Sequence, residues 1–370
     1  MAKVKKYRVA VIGRTGKGNY GHGLDVVWNP LDHVEIVAVA DENDKGRAEA
    51  AKRLRAKNAY ADYRQMLDKE RPHFVSVADR WLDCHHDMVV ACARAGAHVF
   101  LEKPMCRTLV EADDVIRECE MRHVKLAMAH QTRYSPRLAR VRELVGAGRI
   151  GDVLEVRCRG KEDTRGGGED MMVLGTHLMD LMRLLVGDAR WSYGDIKVNG
   201  RPATKADVRD GGERMGPVLG DQIYATYGFD KGVVGTMGTR KNASGRDSRF
   251  GMEIRGTKGI IQLTTGGMPP VYLLDDPTWF PGKSRAAWQE ITSAGVGKPE
   301  PLKDGGLDMA NLLIVKDLIE AVENNRQPLG SMYDGRAALE MILAVYESWR
   351  LRGPVSLPLK NREHPLTTPV

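Results

Sequence analysis

Tyr7-Arg-Val-Ala-Val-Ile12 runs directly into Gly13-Arg-Thr-Gly16-Lys-Gly18-Asn-Tyr-Gly21-His-Gly23. The first six residues, mostly small or β-branched and apolar, read as a buried strand. The glycines after it read as a turn whose backbone N–H groups can approach a pyrophosphate at a helix N-terminus. Gly16-Lys-Gly18-Asn-Tyr-Gly21 has GxGxxG spacing but starts three residues late, with Gly13 where the first glycine belongs, so the loop is expanded. No Gly-Lys-Ser/Thr follows, which excludes a Walker loop. Placed between a strand and a helix, the turn predicts a dinucleotide site with Gly13, Thr15, Gly16, Gly18, Asn19 and Tyr20 as cofactor-binding residues. The bland alternative is a cluster of turn glycines.

Working outward, Val34–Ala40, Phe74–Ala78, Val99–Leu101 and Lys125–Ala129 read as further buried strands. Lys45–Lys57, Tyr63–Glu70, His86–Ala95 and Val110–Arg122 read as helices between them, the last opened by the capping box Thr108-Leu-Val-Glu111. Strands alternating with helices predict a doubly wound parallel sheet covered on both faces. The second strand ends in Ala40-Asp41, and an acid there accepts ribose hydroxyls and repels a 2′-phosphate. Asp41 therefore favours NAD, while nearby Lys45 and Arg47 leave NADP possible. From Gly151 the character changes. Val153–Arg159, Gln222–Phe229, Gly232–Thr239, Phe250–Arg255 and Gly259–Leu263 read as strands of a mixed sheet. Helices are expected over Gly175–Val186, Met309–Asn324 and Asp334–Arg350, with Pro277–Gly306 irregular. The fold class is α/β, with a first domain over residues 1–128 and an α+β domain over 129–370, its C-terminal helices returning to the core.

Composition narrows the function. With 42% hydrophobic and 28% charged residues over 370 positions, the chain can bury a sizeable core. No stretch approaches the ~20 apolar residues of a membrane span, and the first residues carry no apolar export segment. The five cysteines, at 84, 92, 106, 119 and 158, form no CxxC and no metal-like spacing, which predicts reduced thiols, a cytoplasmic location and no metal. Net charge is +7, with basic and acidic residues interleaved, so no nucleic-acid partner is expected.

Val99–Leu101 ends in Glu102-Lys103-Pro104. Proline holds the preceding residue extended, and ligands of doubly wound sheets bind beyond the strands' carboxyl ends. Lys103 is thus either a cleft group able to bind a substrate hydroxyl or a solvated lysine ahead of a turn. On helix Gly175–Val186, His177 and Asp180 are spaced to share a face. His177 suits a general base oriented by Asp180, or else a core or capping histidine. Lys161-Glu-Asp-Thr-Arg165-Gly-Gly-Gly-Glu169-Asp170 is a charged, glycine-rich loop. Arg165, Glu169 and Asp170 bind substrate if it covers the cleft and are solvated if it does not. Arg133 and Tyr134 follow another strand end and are expected to line the substrate or nicotinamide site.

The run Ala95-Gly-Ala-His-Val-Phe-Leu-Glu102-Lys103-Pro104 resembles the AGKHVxxEKP signature of the glucose–fructose oxidoreductase / inositol dehydrogenase / rhizopine-catabolism (Gfo/Idh/MocA) family. Arg133-Tyr-Ser-Pro136, Gly148-Arg-Ile-Gly151, Gly175-Thr-His177-Leu-Met-Asp180 and Gly256-Thr-Lys-Gly259 extend the resemblance along most of the chain. It implies an N-terminal Rossmann domain and a C-terminal α+β domain whose large open mixed sheet forms homo-oligomer contacts, in a dimer or tetramer. It implies NAD(P)-dependent hydride transfer at a carbohydrate or cyclitol carbon, with Lys103 and His177 catalytic and Asp180 near the substrate. Cofactor contacts are implied at Glu102 and Lys103 and within Trp81-Leu-Asp-Cys-His85. One departure is Val173, where many members carry an acid one turn before the histidine. That leaves two further readings open: a redox-neutral, NAD-retaining enzyme that cleaves glycosides, and an NAD-binding sensor.

Overall fold

The computed structural model describes residues 6–244, 249–278 and 283–369. Residues 279–282 of the expected loop Pro277–Gly306, and the start of the chain before residue 6, lie outside the described residues. By contact the chain forms two units. The first comprises Met1–Ala129, Glu213–Met215 and Leu307–Arg336; the second comprises His130–Gly212, Gly216–Gly306 and Ala337–Val370. Residues 307–336 join the first unit because they bond to it. Met128 N–H donates to Gly330 O at 2.8 Å, and the Asn311 side chain donates to His22 O at 2.7 Å.

In the first unit, β1 (Tyr7–Ile12), β2 (Val34–Ala40), β3 (Asn58–Tyr60), β4 (Phe74–Val77), β5 (His98–Leu101) and β6 (Leu126–Met128) form one sheet in the order β3-β2-β1-β4-β5-β6. Every pairing is parallel. Val9, Val11, Phe74, Val75, Phe100 and Leu101 are completely buried, as expected of a parallel sheet covered on both faces. Helices α1 (Asp44–Leu54), α2 (Tyr63–Glu70), α3 (His85–Arg94) and α4 (Leu109–Met121) connect its strands. Asn43, Asp62 and Thr108 accept backbone N–H groups at the starts of α1, α2 and α4, replacing partners that a first turn lacks. The order reverses between β1 and β4, the switch point at which such sheets bind ligands. One expectation fails here. No helix follows the glycine turn, because positive φ at His22 and Gly23, and Pro30 further on, break the segment into successive turns up to β2.

The second unit contains α5 (Pro136–Gly146), β7 (Val153–Arg159), α6 (Gly168–Val173), α7 (Gly175–Val186), β8 (Trp191–Val198) and the short β9 (Arg201–Pro202). β10 (Arg209–Asp210) pairs with β11 (Pro217–Val218). Then come β12 (Gln222–Gly228), β13 (Val234–Arg240), β14 (Gly251–Gly256), β15 (Ile260–Thr264), β16 (Val271–Leu274), β17 (Gln289–Thr292) and β18 (Gly295–Val296). Late in the chain, α8 (Leu307–Glu323) lies in the first unit, and α9 (Met332–Leu351) is followed by β19 (Val355–Ser356). The large sheet runs β18-β17-β16-β15-β14-β7-β13-β12-β8-β19, with β9 beside β8. It is mixed because β7 and β13 pair in parallel. A register row crosses it through Tyr193, Thr226, Thr236, Arg157, Glu253, Gln262, Tyr272 and Glu290. None of these eight is buried, so this face is left uncovered by the chain. Among the described residues, no helix is long and apolar enough to cross a membrane.

Candidate active site

Where β1 ends, the glycine loop folds onto the end of β2. Thr15 donates its N–H at 3.0 Å and its hydroxyl at 2.7 Å to the Asp41 carboxylate. Tyr20 Oη donates at 3.1 Å and Asn43 N–H at 2.9 Å to the same group. Asp41 thereby fastens the glycine loop to the end of β2, and it also lines the neighbouring cavity. Gly13 is required because the Tyr20 ring lies 2.3 Å from where a Cβ would sit. Gly18, at φ +101°, faces the Asp79 carboxylate in the same way. Gly16 N–H donates to Asn19 Oδ1 at 2.8 Å, closing the turn. Beside it, a cavity of about 390 Å³ opens at the carboxyl ends of β1 and β2, between Gly13, Arg14, Asp41, Glu42, Asp83 and Asp87.

Beyond β4, Asp79 is fully buried and accepts Trp81 N–H at 2.8 Å. Burial pushes its carboxyl pKa up. The guanidinium groups of Arg14 and Arg214 lie 5.9 and 5.5 Å from the Trp81 ring centre. His85 is completely buried, its ring nitrogens 2.9 Å from Pro104 O and 2.7 Å from Asp79 O. The expected cofactor contact at His85 is therefore corrected. The ring ties the turn after β4 to the turn after β5.

At the end of β5, Lys103 is only 6% exposed, with Nζ 3.8 Å from Glu102 Oε1. The Lys103-Pro104 peptide is cis. Glu102 is fully buried, and its Oε1 lies 3.1 Å from His22 Nδ1. Burial acts to raise the Glu102 pKa, but the His22 hydrogen bond and the Lys103 charge hold it below the usual range. Glu102 Oε2 has no hydrogen-bond partner among the described residues. A buried, unpartnered acceptor and an open cavity at the switch point fit a dinucleotide that brings hydroxyl and amide donors. Sequence reasoning missed His22 and Asp79. The only signal for either was position: one inside the glycine turn, the other just past a strand end.

The second unit gathers a different polar cluster. Asp180, on α7 and 1% exposed, receives Arg133 Nε at 2.9 Å, and Arg133 Nη2 lies 2.8 Å from it. His130 Nδ1 stands 3.4 Å from the same carboxylate, and its Nε2 lies 3.0 Å from Thr176 Oγ1. Burial opposes ionisation of Asp180, yet the charge of Arg133 and the adjacent His130 hold its carboxyl well below the usual range. Arg133 and Asp180, expected as separate substrate contacts, are thus a buried ion pair. His177, 9% exposed one turn earlier on α7, packs its ring 5.5 Å from that of His130 and 6.3 Å from that of Phe250. Tyr134 is 9% exposed at the end of the same short turn of helix as Arg133. Val173, at the end of α6, is buried and brings no acid.

The charges of the glycine-rich loop and of the first turn of α6 are paired within the second unit. Asp170 is fully buried and accepts Glu162 N–H at 3.0 Å, Lys161 N–H at 3.2 Å and the Thr239 hydroxyl. It anchors the loop to the end of β7 and to β13. Arg165 pairs with Asp163 at 2.7 Å, and Glu169 with Arg209 at 2.6 Å. Among the described residues, no group of His, Cys, Asp and Glu is arranged to hold a metal ion.

Comparison with known proteins shows the family and the fold. Residues 7–130 match the GFO_IDH_MocA profile, described as an oxidoreductase family with an NAD-binding Rossmann fold. Residues 142–357 match that family's C-terminal alpha/beta domain. Levoglucosan dehydrogenase of Pseudarthrobacter phenanthrenivorans is 27% identical over 247 residues. That match covers 60% of this chain and 63% of the relative, less than two thirds of its length. D-apiose dehydrogenase of Paraburkholderia graminis is 29% identical over 377 aligned residues, covering 99% of this chain and 93% of the relative. A solved structure of levoglucosan dehydrogenase, in complex with NADH and levoglucosan, superposes with a TM-score of 0.76. It is 22% identical, covering 96% of this chain and 100% of the other, and shares the fold.

Proposed function

The chain belongs to the Gfo/Idh/MocA oxidoreductase family, and from that premise we propose that it carries hydride between NAD and a hydroxyl-bearing or keto carbon of a carbohydrate or cyclitol. The observation that carries this reading is Lys103. An ammonium withdrawn from water beside a buried carboxylate, just past the carboxyl end of β5, would hold a substrate oxygen and move its proton. Bound NAD would supply the hydride acceptor. Gly13, Gly16, Gly18 and Trp81 would line its place, and Glu102 Oε2 would accept one of its donors. His177 would take the second proton-handling role, held on α7 while Arg133, Asp180 and His130 fix the neighbouring wall. Tyr134, Arg165 and Glu169 complete the proposed substrate contacts. Residues 1–128 would serve the cofactor, and 129–370 the substrate and assembly.

Two further parts of the reading rest on separate observations. All five cysteines are free thiols, which supports a cytoplasmic location. The uncovered face of the large sheet, carrying exposed Tyr193, Tyr224 and Tyr272, supports a homo-oligomer, dimer or tetramer. The deciding experiment incubates the protein with NAD and a panel of sugars, cyclitols and glycosides, following both NADH and released aglycone. NADH formation with a free sugar or cyclitol is expected. Aglycone release without net NADH would replace this reading with redox-neutral glycoside cleavage.

A further inference from the structure

We propose that Glu102 and His22 form the route by which the proton collected at Lys103 leaves for water. The inference rests on the oxidoreductase reading above and concerns the proton that each oxidation of an alcohol releases. A buried base must give up its proton before the next turnover, and the walls that exclude water from it also close the direct way out. Lys103 is only 6% exposed, so its proton needs a carrier. Glu102 Oε1 lies 3.8 Å from Lys103 Nζ on one side and 3.1 Å from His22 Nδ1 on the other. One carboxylate oxygen thus stands between the two. The His22 side chain keeps 37% of its exposure, against none for Glu102, so the row runs from the interior to solvent.

The glycine turn holds this row in place. Gly21 N–H donates to Ala78 O at 2.6 Å, and a Cβ on Gly21 would stand 3.0 Å from Glu102 Oε2 and 2.8 Å from Arg80 Cγ. The bare backbone therefore brings His22 against the buried carboxylate. His22 takes φ +46°, with its carbonyl accepting the Asn311 side chain at 2.7 Å. Burial opposes the charge of Glu102, yet His22 and Lys103 keep it ionised and ready to accept. The other charged and titratable groups nearby stand outside the row. Both ring nitrogens of His85 meet carbonyl oxygens, Arg80 Nε donates to Gly18 O, and Asp308 on α8 lies beside Gly23. In the transfer, an N–H bond of the Lys103 ammonium breaks as an O–H bond forms at Glu102 Oε1. That bond breaks in turn as the proton passes to the His22 ring, and the ring yields a proton to water. Lys103 is left a neutral amine able to take the next hydroxyl proton, while Glu102 and His22 regain their first charges. The hydride of the same oxidation goes to NAD, so each turnover sends one proton out. Glu102 Oε2 takes no part and stays for the cofactor donor proposed above.

The test uses the full chain, saturating NAD and the best substrate of the panel above. It compares wild type with His22→Gln, His22→Ala, Glu102→Gln and the double variant His22→Gln with Glu102→Gln. NADH binding is titrated in parallel by nucleotide fluorescence, and imidazole is added at constant pH and ionic strength. Both His22 variants should still bind NADH and lose about tenfold or more in kcat with KM unchanged, as a slowed proton transfer requires. Imidazole should restore the kcat of His22→Ala in proportion to its concentration and leave wild type unmoved. The double variant should lose no more than Glu102→Gln alone, because a relay with one link missing is already broken. An unmoved kcat in both His22 variants, a loss that imidazole does not repair, or additive losses in the double variant overturns the proposal. So does loss of NADH binding in both His22 variants, which would make the residue a structural part of the glycine turn. Wild-type protein that oxidises nothing in the panel would overturn the oxidoreductase reading itself, a result distinct from a failed relay.

Discussion

Asp180 shows what a single buried charge does in this molecule. Its carboxylate is nearly cut off from water and is ionised because Arg133 and His130 face it. Breaking such a pair from one side leaves the other charge buried alone, which costs about 3–5 kcal/mol. Asp180→Ala should therefore lower unfolding free energy by that amount in urea titration, and Asp180→Ala with Arg133→Met should recover part of it. A loss of the single variant below about 1 kcal/mol, the range of exposed pairs, would contradict this account. Residues of this kind divide by how far they were legible. The place of Lys103 at a strand end was, because the apolar run before it and the proline after it mark that end, although its burial was left open. Asp41, His85 and Asp170 were not. The two carboxylates are engaged by N–H and O–H donors and His85 by two carbonyl oxygens, and residue type does not reveal which partners the fold brings to a side chain.

At the scale of elements, the last segment of the chain provides a pH-dependent tie. After β19, His364 is buried and packs its ring 5.9 Å from that of Tyr346 on α9. Burial lowers its pKa from 6.5 to about 4. The unfolded chain binds this proton below pH 6.5 and the folded chain does not until about pH 4, so stability falls as pH drops through that window. The histidine's share is about 3 kcal/mol when both values have been passed. His364→Gln should flatten this part of the urea midpoint's pH dependence, and an unchanged slope would refute the assignment. Elements also differed in legibility. Five strands of the parallel sheet were plain because burial on both faces makes them continuously apolar, whereas β3, a short polar strand at the sheet edge, was missed. β8 was missed because its buried positions include Ser192 and Gly194, which hide the alternation. β17 and β18 lie in the segment expected to be irregular, and α6 begins inside the glycine-rich loop. The helix expected after Gly23 is absent because the glycines that suit a phosphate turn also break a helix.

For the whole molecule, the large sheet's uncovered face is the feature that no local pattern reveals. Strands arranged from distant parts of the sequence bring Tyr193, Arg157, Glu253 and Tyr272 into one row. Light scattering after size exclusion should report a dimer or tetramer, and Tyr272→Arg with Tyr224→Arg should shift it toward monomer. A wild-type monomer at micromolar concentration would contradict the assembly proposal. In the proposed hydride transfer, Lys103 would manage the proton. The most direct measurement of that role compares Lys103→Met with wild type, using NAD and the best substrate of the sugar and cyclitol panel. Turnover followed as NADH formation should fall by roughly 10²–10⁴, the range for losing a proton-transfer group, while NADH still binds. Turnover within tenfold of wild type, with NADH still bound, would contradict it.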